Sequence, residues 1–373
     1  MRILQISSAK SFGGGEKHLV DLIGGLSGKG HEVFLAAPEN SPLRGKLPGL
    51  KDENFIDAGI RHALDIPAAF KIAGIISEKN IDIVHAHLAR DYVPAALATR
   101  FAAAKAAKFV LTRHVLFPMK GLHRLALSNV SRVIAVSSAV EKQLRTQRVF
   151  PPEKIVTIPN GIDVAHWAGG PAEEMRMAFR AKHQIPNDAF LIGAVGELKK
   201  LKGQEDLILA AEMVLQKFPG TRFVIVGLDN SPDGGYRVHL QNLAAAIGAA
   251  DNFIWLDWVD DTAPLLHALD VFVSASHTES FGLAILEAMA AGCAVVSTGT
   301  EGAKELLGEK YLVTPIPVED PVRLATALCS LLGDETLRKE LGRSLQVRAA
   351  ENFDLATMIN ATEKLYLELQ NAG

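Results

Sequence analysis

The sequence HTESFGLAILEAMAAG, from His277 to Gly292, joins a predicted strand to a predicted helix. The preceding run, Leu269 to Ala275, is apolar and rich in β-branched residues, as in a strand buried within a parallel sheet. From Leu283 the apolar residues recur at helical spacing until the glycine at the end. Gly282 allows a tight turn between the two elements. The stretch therefore predicts a strand, a turn and a helix of an α/β domain.

Two glutamates flank this turn. Glu279 would lie on the loop at the carboxyl end of the strand, and Glu287 about two turns into the helix. The N–H groups of Phe281, Gly282 and Leu283 would point out of the helix N-terminus, which suits a phosphate. One carboxylate would lie beside the phosphate and the other would face back toward it. This arrangement can hold a sugar at one end of a diphosphate and a ribose at the other.

The segment resembles the E-x7-E signature of retaining GT-B glycosyltransferases, in particular glycosyltransferase family 4. In that family the first Glu contacts the transferred sugar and the second bonds the nucleotide ribose, which gives these roles to Glu279 and Glu287. Two carboxylates at this spacing alone would be ordinary loop and helix residues. The intact Glu-Ser-Phe-Gly lead and Glu-Ala-Met-Ala-Ala-Gly tail favour the functional interpretation.

The whole chain alternates short apolar strands with amphipathic helices, which predicts doubly wound parallel sheets. The resemblance implies an α/β, GT-B fold with two Rossmann-like domains facing across a cleft. We expect an acceptor-side domain over residues 1–165, a nucleotide-sugar-binding domain over 166–354, and a helix over 355–373 that returns to the first domain. Predicted strands are 3–7, 32–37, 81–85, 108–112, 132–136, 190–195, 222–226, 253–256, 270–275 and 294–297, and helices are predicted around 18–27, 69–78 and 355–370.

Composition is typical of a globular α/β protein. The chain has 373 residues, 48% hydrophobic, and its two cysteines give no disulfide framework. The N-terminus has too short an apolar run for a signal peptide, and no stretch approaches the ~18 apolar residues of a membrane span. We therefore expect a cytoplasmic protein. Residues 1–165 carry 22 Lys+Arg and 14 Asp+Glu, and the remainder 17 and 28. The basic first half indicates an anionic partner, and we expect no nucleic acid.

A glycine-rich loop, Gly13 to Glu16, follows the first strand and opens a helix. Glycines there allow a phosphate or sugar to approach closely. The loop is not a dinucleotide fingerprint, because His18 stands at the third glycine position, and it is not a P-loop. Because the opening of the chain looks like that of family 4 enzymes, we assign Gly14 and Gly15 to donor binding and Glu16 as a further candidate.

Histidines follow two predicted strands of the first domain. His114, in Thr112-Arg113-His114, matches the Thr-x-His position of the family, which implies contact with the donor sugar and a catalytic role. His85 and His87 lie two apart, a spacing that also occurs in metal sites. No third ligand with convincing spacing accompanies them, and the family has the same His-x-His. We expect no metal there, and we keep His87 as a candidate site residue.

Lys202-Gly203 matches the family's Lys-Gly, whose Lys grips the diphosphate and stabilises the departing anion. The family's preceding Arg is replaced by Glu197. A carboxylate there would repel a diphosphate unless Lys199 or Lys200 compensates or Glu197 turns away. The departure leaves donor affinity and donor type open, and we keep Glu197 as a candidate site residue.

Three other family matches complete the expected site. The loop Leu256 to Asp261 lies near the base in the family, so Val259 is a candidate. Glu301 to Glu305 matches a glycine-containing loop ending in Glu, so Glu305 is another. Asn160 to Asp163 matches the hinge region. The chain has no Asp-x-Asp, the pair that holds a metal on the diphosphate in GT-A enzymes. We expect no cofactor and a metal-independent reaction.

The resemblance therefore implies a retaining glycosyltransferase, of hexosyltransferase type, that moves a sugar from a nucleotide-diphosphate sugar to a glycan or lipid-linked acceptor. One alternative is a GT-B epimerase or hydrolase acting on a nucleotide sugar. Another, motivated by Glu197, is a non-catalytic sugar-nucleotide-binding protein.

A basic stretch runs through the first domain and encloses the apolar loop Val115 to Met119. Cationic side chains near an anionic bilayer contribute on the order of 1 kcal/mol each. We therefore expect peripheral contact with the inner membrane face and a lipid-linked or lipopolysaccharide-type acceptor. Alternatively, the charges are scattered over a solvated surface and the loop packs inward. The basic residues are Arg100, Lys105, Lys108, Arg113, Lys120, Arg124, Arg132, Lys142, Arg145 and Arg148.

Overall fold

The computed structural model describes residues 1–47, 50–103, 107–119, 121, 123–308 and 316–371. Lys105 and Lys120 of the basic stretch lie outside the described residues. The chain forms two compact units. The first comprises Met1–Gly161 with Leu355–Gly373, and the second comprises Ile162–Asp354. The last segment of the chain is therefore part of the first unit.

The first unit is built on a parallel sheet with the strand order β3-β2-β1-β4-β5-β6-β7. Its strands are β1 (Arg2–Ile6), β2 (Glu32–Ala37), β3 (Phe55–Asp57), β4 (Ile83–Ala86), β5 (Lys108–Arg113), β6 (Val130–Ala135) and β7 (Ile155–Thr157). Its helices are α1 (Gly14–Gly28), α2 (Ile66–Glu78), α3 (Tyr92–Phe101), α4 (His123–Ala126), α5 (Ser138–Gln147) and α15 (Leu355–Asn371), with 3-10 turns at Asp52–Asn54 and Pro152–Lys154.

Helix α15 completes the core of the first unit. Tyr366 is fully buried, and its hydroxyl lies 2.6 Å from Nδ1 of His85 on β4. The other nitrogen of His85 lies 2.7 Å from Oγ1 of Thr112. A Cβ on Gly25 of α1 would lie 2.1 Å from Cδ1 of Ile359, so the two helices can pack closely only because residue 25 is glycine. These contacts fix α15 to both the sheet and α1.

The second unit has a parallel sheet with the order β10-β9-β8-β11-β12. Its strands are β8 (Leu191–Val195), β9 (Arg222–Val226), β10 (Phe253–Leu256), β11 (Val271–Ser274) and β12 (Ala294–Ser297). Its helices are α6 (Val164–Ala168), α7 (Ala172–Lys182), α8 (Gln204–Lys217), α9 (Gly235–Ala246), α10 (Ala263–Ala268), α11 (Leu283–Ala290), α12 (Glu301–Leu307), α13 (Pro321–Gly333) and α14 (Glu335–Asn352), with 3-10 turns at Lys200–Lys202 and Ala250–Asn252.

A buried arginine ties α7 to this second sheet. Arg180 is 1% exposed, and its guanidinium donates to Oδ2 of Asp270 at 2.9 Å and to the carbonyls of Ala268 and Ala189. The same Asp270 oxygen accepts from the backbone N–H of Leu191 at the start of β8. A buried guanidinium is tolerated because its N–H groups have hydrogen-bond acceptors and its charge is paired with a carboxylate.

The structure confirms the predicted α/β class with two parallel sheets, although the sequence pattern did not predict β3 or β7. Both are only three residues long, which leaves no room for a periodic pattern. In each sheet the strand order reverses direction at one point, between β1 and β4 and between β8 and β11. Ligands of such folds bind outside the carboxyl ends of the strands at these points.

Candidate functional site

The turn between β11 and α11 has the predicted form. Gly282 is in the left-handed region with φ 103°, and α11 begins at Leu283. Glu279 lies on the loop, as expected, but Glu287 is the fifth residue of the helix. It is therefore little more than one turn into the helix rather than two, because each turn takes about 3.6 residues. Phe281 is 2% exposed and packs edge-on against the ring of Phe353.

Lys202 and Glu279 meet at the carboxyl ends of β8 and β11. Nζ of Lys202 lies 2.7 Å from Oε2 of Glu279, and both side chains are partly exposed. Oγ of Ser276 lies 3.4 Å from the same oxygen. Together with the N-terminus of α11, this places an ammonium group, helix N–H groups and a carboxylate near the β8–β11 switch point. Such a set can hold an anion and orient a polar group attached to it.

The backbone around Lys202 is tightly constrained. Gly203 has φ 64°, and a Cβ there would lie 2.0 Å from the carbonyl oxygen of Ala275. The Lys-Gly pair is therefore explained by close approach of the two loops. The N–H of His277 donates to the carbonyl of Leu201 at 2.9 Å, and its Nε2 lies 2.7 Å from Oδ2 of Asp206. These bonds fix the 3-10 turn that carries Lys202 against the β11 loop.

Glu197 is compensated by its neighbours. Its Oε2 accepts from Nζ of Lys199 at 2.5 Å, and its Oε1 accepts from Nδ2 of Asn230 at 3.2 Å. Partial burial alone would raise the pKa of Glu197, but these partners lower it on balance. The compensation by lysine that the sequence left open therefore comes from Lys199.

The remaining candidates of the second unit lie on separate segments. Oγ1 of Thr262 donates to Oε2 of Glu287 at 3.2 Å, so the β10 loop, which also carries half-buried Val259, reaches α11. Glu305 lies inside helix α12 rather than at the end of a loop. This differs from the expected loop because Ala303 and Leu306 have helical spacing and are buried.

Glycine at position 302 allows α12 to approach the Glu279 loop. Its N–H donates to the carbonyl of Glu279 at 3.1 Å. A Cβ on Gly302 would lie 2.7 Å from both the nitrogen and the oxygen of Phe281. The glycine in this motif is thus required by the turn before α11, a role that its sequence position did not reveal.

The glycine-rich loop of the first unit lies at the start of α1, which begins at Gly14 rather than near His18. A Cβ on Gly15 would meet no atom within 4 Å, so packing within the protein does not require glycine there. Burial raises the pKa of Glu16, in the first turn of the helix, above its ordinary value. The loop therefore leaves open space beside a partly desolvated carboxyl group.

Four histidines lie near one another at the carboxyl edge of the first sheet. Ring centroids of His18 and His114 are 4.9 Å apart, and those of His85 and His87 are 4.2 Å apart. Nε2 of His87 lies 2.8 Å from Oε1 of Gln5. Burial, with smaller contributions from the neighbouring histidines, lowers the pKa of His87 and His114 well below the ordinary value. Neutral imidazoles can accept a hydrogen bond from a hydroxyl or coordinate a metal.

Sequence reasoning missed two residues of this edge. His18 lies on the first turns of α1 and faces the His87 and His114 rings, and only its position after the glycines could have indicated it. Asp91 is fully buried before α3, where it accepts hydrogen bonds from the backbone N–H and the hydroxyl of Ser8. Burial raises the pKa of Asp91 to about 7.

The basic stretch is only partly a charged surface. Arg113 is 3% exposed and donates to the carbonyl of Phe117, so it does not belong to the surface on which we expected it. The apolar loop does not pack inward, since Phe117 is 61% exposed, and Leu125 nearby in the sequence is 76% exposed. Within the described residues, no helix combines the length and apolar character needed to cross a membrane.

Two family models match the chain over adjacent regions. The model for Glycosyltransferase Family 4 matches residues 12–166, and the model for Glycosyl transferases group 1 matches residues 175–347. The matched regions contain the candidate residues of the first and second units.

Among curated proteins, the phosphatidyl-myo-inositol mannosyltransferase of Mycolicibacterium smegmatis is 28% identical over 97% of this chain and 92% of its own length. The D-inositol 3-phosphate glycosyltransferase of Salinispora tropica is 30% identical over 61% of this chain and 48% of its own length. That of Kineococcus radiotolerans is matched over 56% of its length. The chain thus spans about half the length of several curated relatives.

Solved structures show the same fold. Anabaena HepE, solved in complex with UDP and glucose, has a TM-score of 0.86 and 21% identity, covering 99% of this chain and 100% of that one. A Rickettsia africae glycosyltransferase has a TM-score of 0.85 and 22% identity, covering 98% of each chain. Two parallel α/β units with these neighbours have the GT-B fold, and the chain belongs to the group 1, family 4 glycosyltransferases.

Proposed function

We propose that this protein transfers a hexosyl group from a nucleotide-diphosphate sugar to an acceptor with retention of anomeric configuration. The observation that carries the proposal is the Lys202–Glu279 ion pair beside the N-terminus of α11. Lys202 would stabilise the departing diphosphate, Glu279 would contact the transferred sugar and Glu287 would bond the ribose. His114 would contact the sugar from the first unit. UDP bound to HepE supports a nucleotide-linked donor.

Transfer by this site is proposed to need no cofactor and no metal on the diphosphate. The cationic Lys202 and the helix N-terminus supply the electrostatic stabilisation that a divalent ion supplies elsewhere. Excess chelator should therefore not lower the transfer rate. A rate that vanishes with chelator and returns with a divalent ion would contradict this part of the proposal.

The acceptor is proposed to be lipid-linked or of the lipopolysaccharide type, used by a cytoplasmic protein in peripheral contact with an anionic membrane. The exposed Phe117 and Leu125 within a basic stretch support this choice. Two relatives are a phosphatidyl-myo-inositol mannosyltransferase and a lipopolysaccharide core biosynthesis glycosyltransferase, and their names also favour such an acceptor.

A thermal-shift screen across nucleoside diphosphates and their sugars tests the donor. Binding stabilises the folded state by mass action, about 2.7 kcal/mol at a ligand concentration of 100 Kd. We expect one nucleotide-diphosphate sugar to raise the unfolding temperature above the others, and radiolabelled sugar from it to appear in acceptor extracts. Donor consumption without any acceptor would favour an epimerase or hydrolase. Donor binding without transfer or consumption would favour a non-catalytic binding protein.

A further inference from the structure

Three histidines of the first unit present ring nitrogens to one another. One nitrogen each from His18, His87 and His114 lies within 4.8 Å of the others. The three residues come from different segments, namely α1, the residue after β4 and the residue after β5. In the part of the chain that the structure describes, they form the single group of histidine, cysteine or acidic residues with this geometry.

The hydrogen bond between His87 and Gln5 defines which nitrogen of His87 carries a lone pair. With Oε1 of Gln5 as acceptor, Nε2 of His87 carries its hydrogen and Nδ1 presents its lone pair. Among the described residues, no group hydrogen-bonds to Nδ1 of His87, although this side chain is only 3% exposed. His18 has the side chain of Asn160 as a hydrogen-bond partner. A buried nitrogen without a partner is costly, which indicates that a ligand occupies the space beside Nδ1 of His87.

His85 does not belong to the cluster, although the sequence pairs it with His87. Its two ring nitrogens are already engaged, one with Tyr366 and one with Thr112. We expected no metal at the His-x-His motif because no third ligand with convincing spacing accompanies these two residues in the sequence. The fold replaces that pair with His87 and two histidines that are distant in sequence.

We propose that His18, His87 and His114 bind a divalent transition-metal ion, and that this ion is zinc. Zinc accepts three imidazole nitrogens at about 2.0–2.1 Å and keeps a fourth position for water or another ligand. Tetrahedral ligation at that distance requires the nitrogens to be about 3.4 Å apart, so modest ring rotations from the present positions suffice. Gln5 would orient His87 through Nε2, as partners of metal-bound histidines commonly do.

The ion would inhibit the proposed transfer. His114 is the residue proposed to contact the sugar, and a metal on its nitrogen would remove that contact. This consequence rests on the proposed function, whereas metal binding itself does not. It is also compatible with transfer that needs no metal, because the proposed diphosphate ligands, such as Lys202, belong to the second unit.

Calorimetric titration of the full chain with Zn²⁺, and visible absorption with Co²⁺, test the site directly. We expect one ion to bind per chain. Bound Co²⁺ should show the strong visible absorption bands of a four-coordinate, tetrahedral ion. Gln5→Leu should weaken binding roughly 10–100-fold, and His87→Ala more than that. The control His62→Ala removes an exposed histidine of the same unit and should leave the affinity unchanged. Circular dichroism and the unfolding temperature report whether each variant is folded.

A wild-type cobalt spectrum identical to that of the hydrated ion would overturn the proposal without any variant. Equal zinc affinity in folded His87→Ala and wild type would overturn it as well, and would assign the ion to another site. Failure of both Zn²⁺ and Co²⁺ to bind would also overturn the proposal, and would leave the space between the rings to another ligand such as a sugar hydroxyl. Zinc that binds as expected but does not slow transfer would leave the site standing and contradict the role proposed for His114.

Discussion

Nζ of Lys202 lies 2.7 Å from Oε2 of Glu279, so two motifs 77 residues apart share one ion pair in the second unit. In the proposed reaction, a diphosphate would bring negative charge to a lysine that is already paired with a carboxylate. The lysine would then contact the leaving phosphate while Glu279 would be released toward the sugar. The pair would thereby couple phosphate binding to the position of the glutamate.

Replacing Lys202 with alanine should slow transfer by a factor that corresponds to roughly 2–4 kcal/mol in the activation barrier, because a preorganised contact to the departing anion is lost. Steady-state kinetics at saturating donor measure the effect. Lys200→Ala is the matched control, since Lys200 is an exposed lysine on the same 3-10 turn. Near-normal turnover in a folded Lys202→Ala variant would remove Lys202 from the proposed mechanism.

Glu197→Arg should tighten donor binding. The substitution restores the charge found at this position in the family and frees Lys199 from its 2.5 Å ion pair. Calorimetry with a nucleoside diphosphate gives the dissociation constant, and Glu212→Arg on the exposed face of α8 makes the same change of charge elsewhere in the unit. Weaker binding in the Glu197 variant alone would show that the Glu197 carboxylate itself contributes to donor binding.

Sedimentation with vesicles should capture the protein when they contain anionic lipid and release it as salt is raised, because screening weakens charge attraction at a surface. Phe117→Ser should reduce capture by removing an apolar side chain that is 61% exposed. Met177→Ser removes one of similar exposure, 53%, from the second unit and should have no effect. Equal capture by neutral and anionic vesicles, or none by either, would point to a soluble acceptor.

As the pH rises from about 4 to about 7, the first unit should lose stability because of Asp91. The folded-state pKa of about 7 lies above the ordinary value near 3.9, so the folded state holds a proton that the unfolded state has lost in this range. Each pH unit then costs up to about 1.4 kcal/mol. The side chains that act on Asp91 are the Ser8 hydroxyl, Arg90 and Glu16.

Urea unfolding of wild type and Asp91→Asn across this range provides the test. The asparagine variant cannot ionise, so wild type should lose stability relative to it as pH rises toward 7. Above pH 7 the difference should become constant. Parallel curves would mean that Asp91 does not change its protonation on unfolding.

Tyr366→Phe should lower the free energy of unfolding by about 1–3 kcal/mol, because Nδ1 of buried His85 loses its partner. Tyr236→Phe is the matched control, since its hydroxyl bonds Glu205 at the partly exposed surface of the second unit. That change should alter stability by no more than about 0.5 kcal/mol. Equal effects of the two substitutions would contradict the structural role of the His85 bond.

The sequence predicted the strands and helices that carry long apolar patterns. It did not predict the short strands, or the contacts between residues that are distant in the chain. The β11–Gly282–α11 turn was predictable because strand, glycine and helix are contiguous in the chain. Short strands such as β3 were missed because three residues show no periodicity. The approach of His18 to His87 depends on how α1 packs on the sheet, and no local pattern encodes that.

Two glycines illustrate the same limit of prediction from a single sequence. Gly203 and Gly302 were noted as parts of motifs, yet the reason for each is a backbone atom of a distant loop within 3 Å of where a side chain would begin. A single sequence gives the residue type at these positions without the neighbour that requires it. The sequence is compatible with Lys199, with Lys200 or with a rotated Glu197, and the fold selects the pairing with Lys199.

Helix α15 has a consequence for how the protein is made. The ribosome must synthesise residues 162–354 before the helix that carries Tyr366 emerges, so the half of the protein that is translated first is the last to be finished. At ~5–20 residues per second, the exposed side of the first sheet waits on the order of ten seconds or longer for its missing helix. During that interval its uncovered apolar residues are available to chaperones, and the second unit can fold before the first is complete.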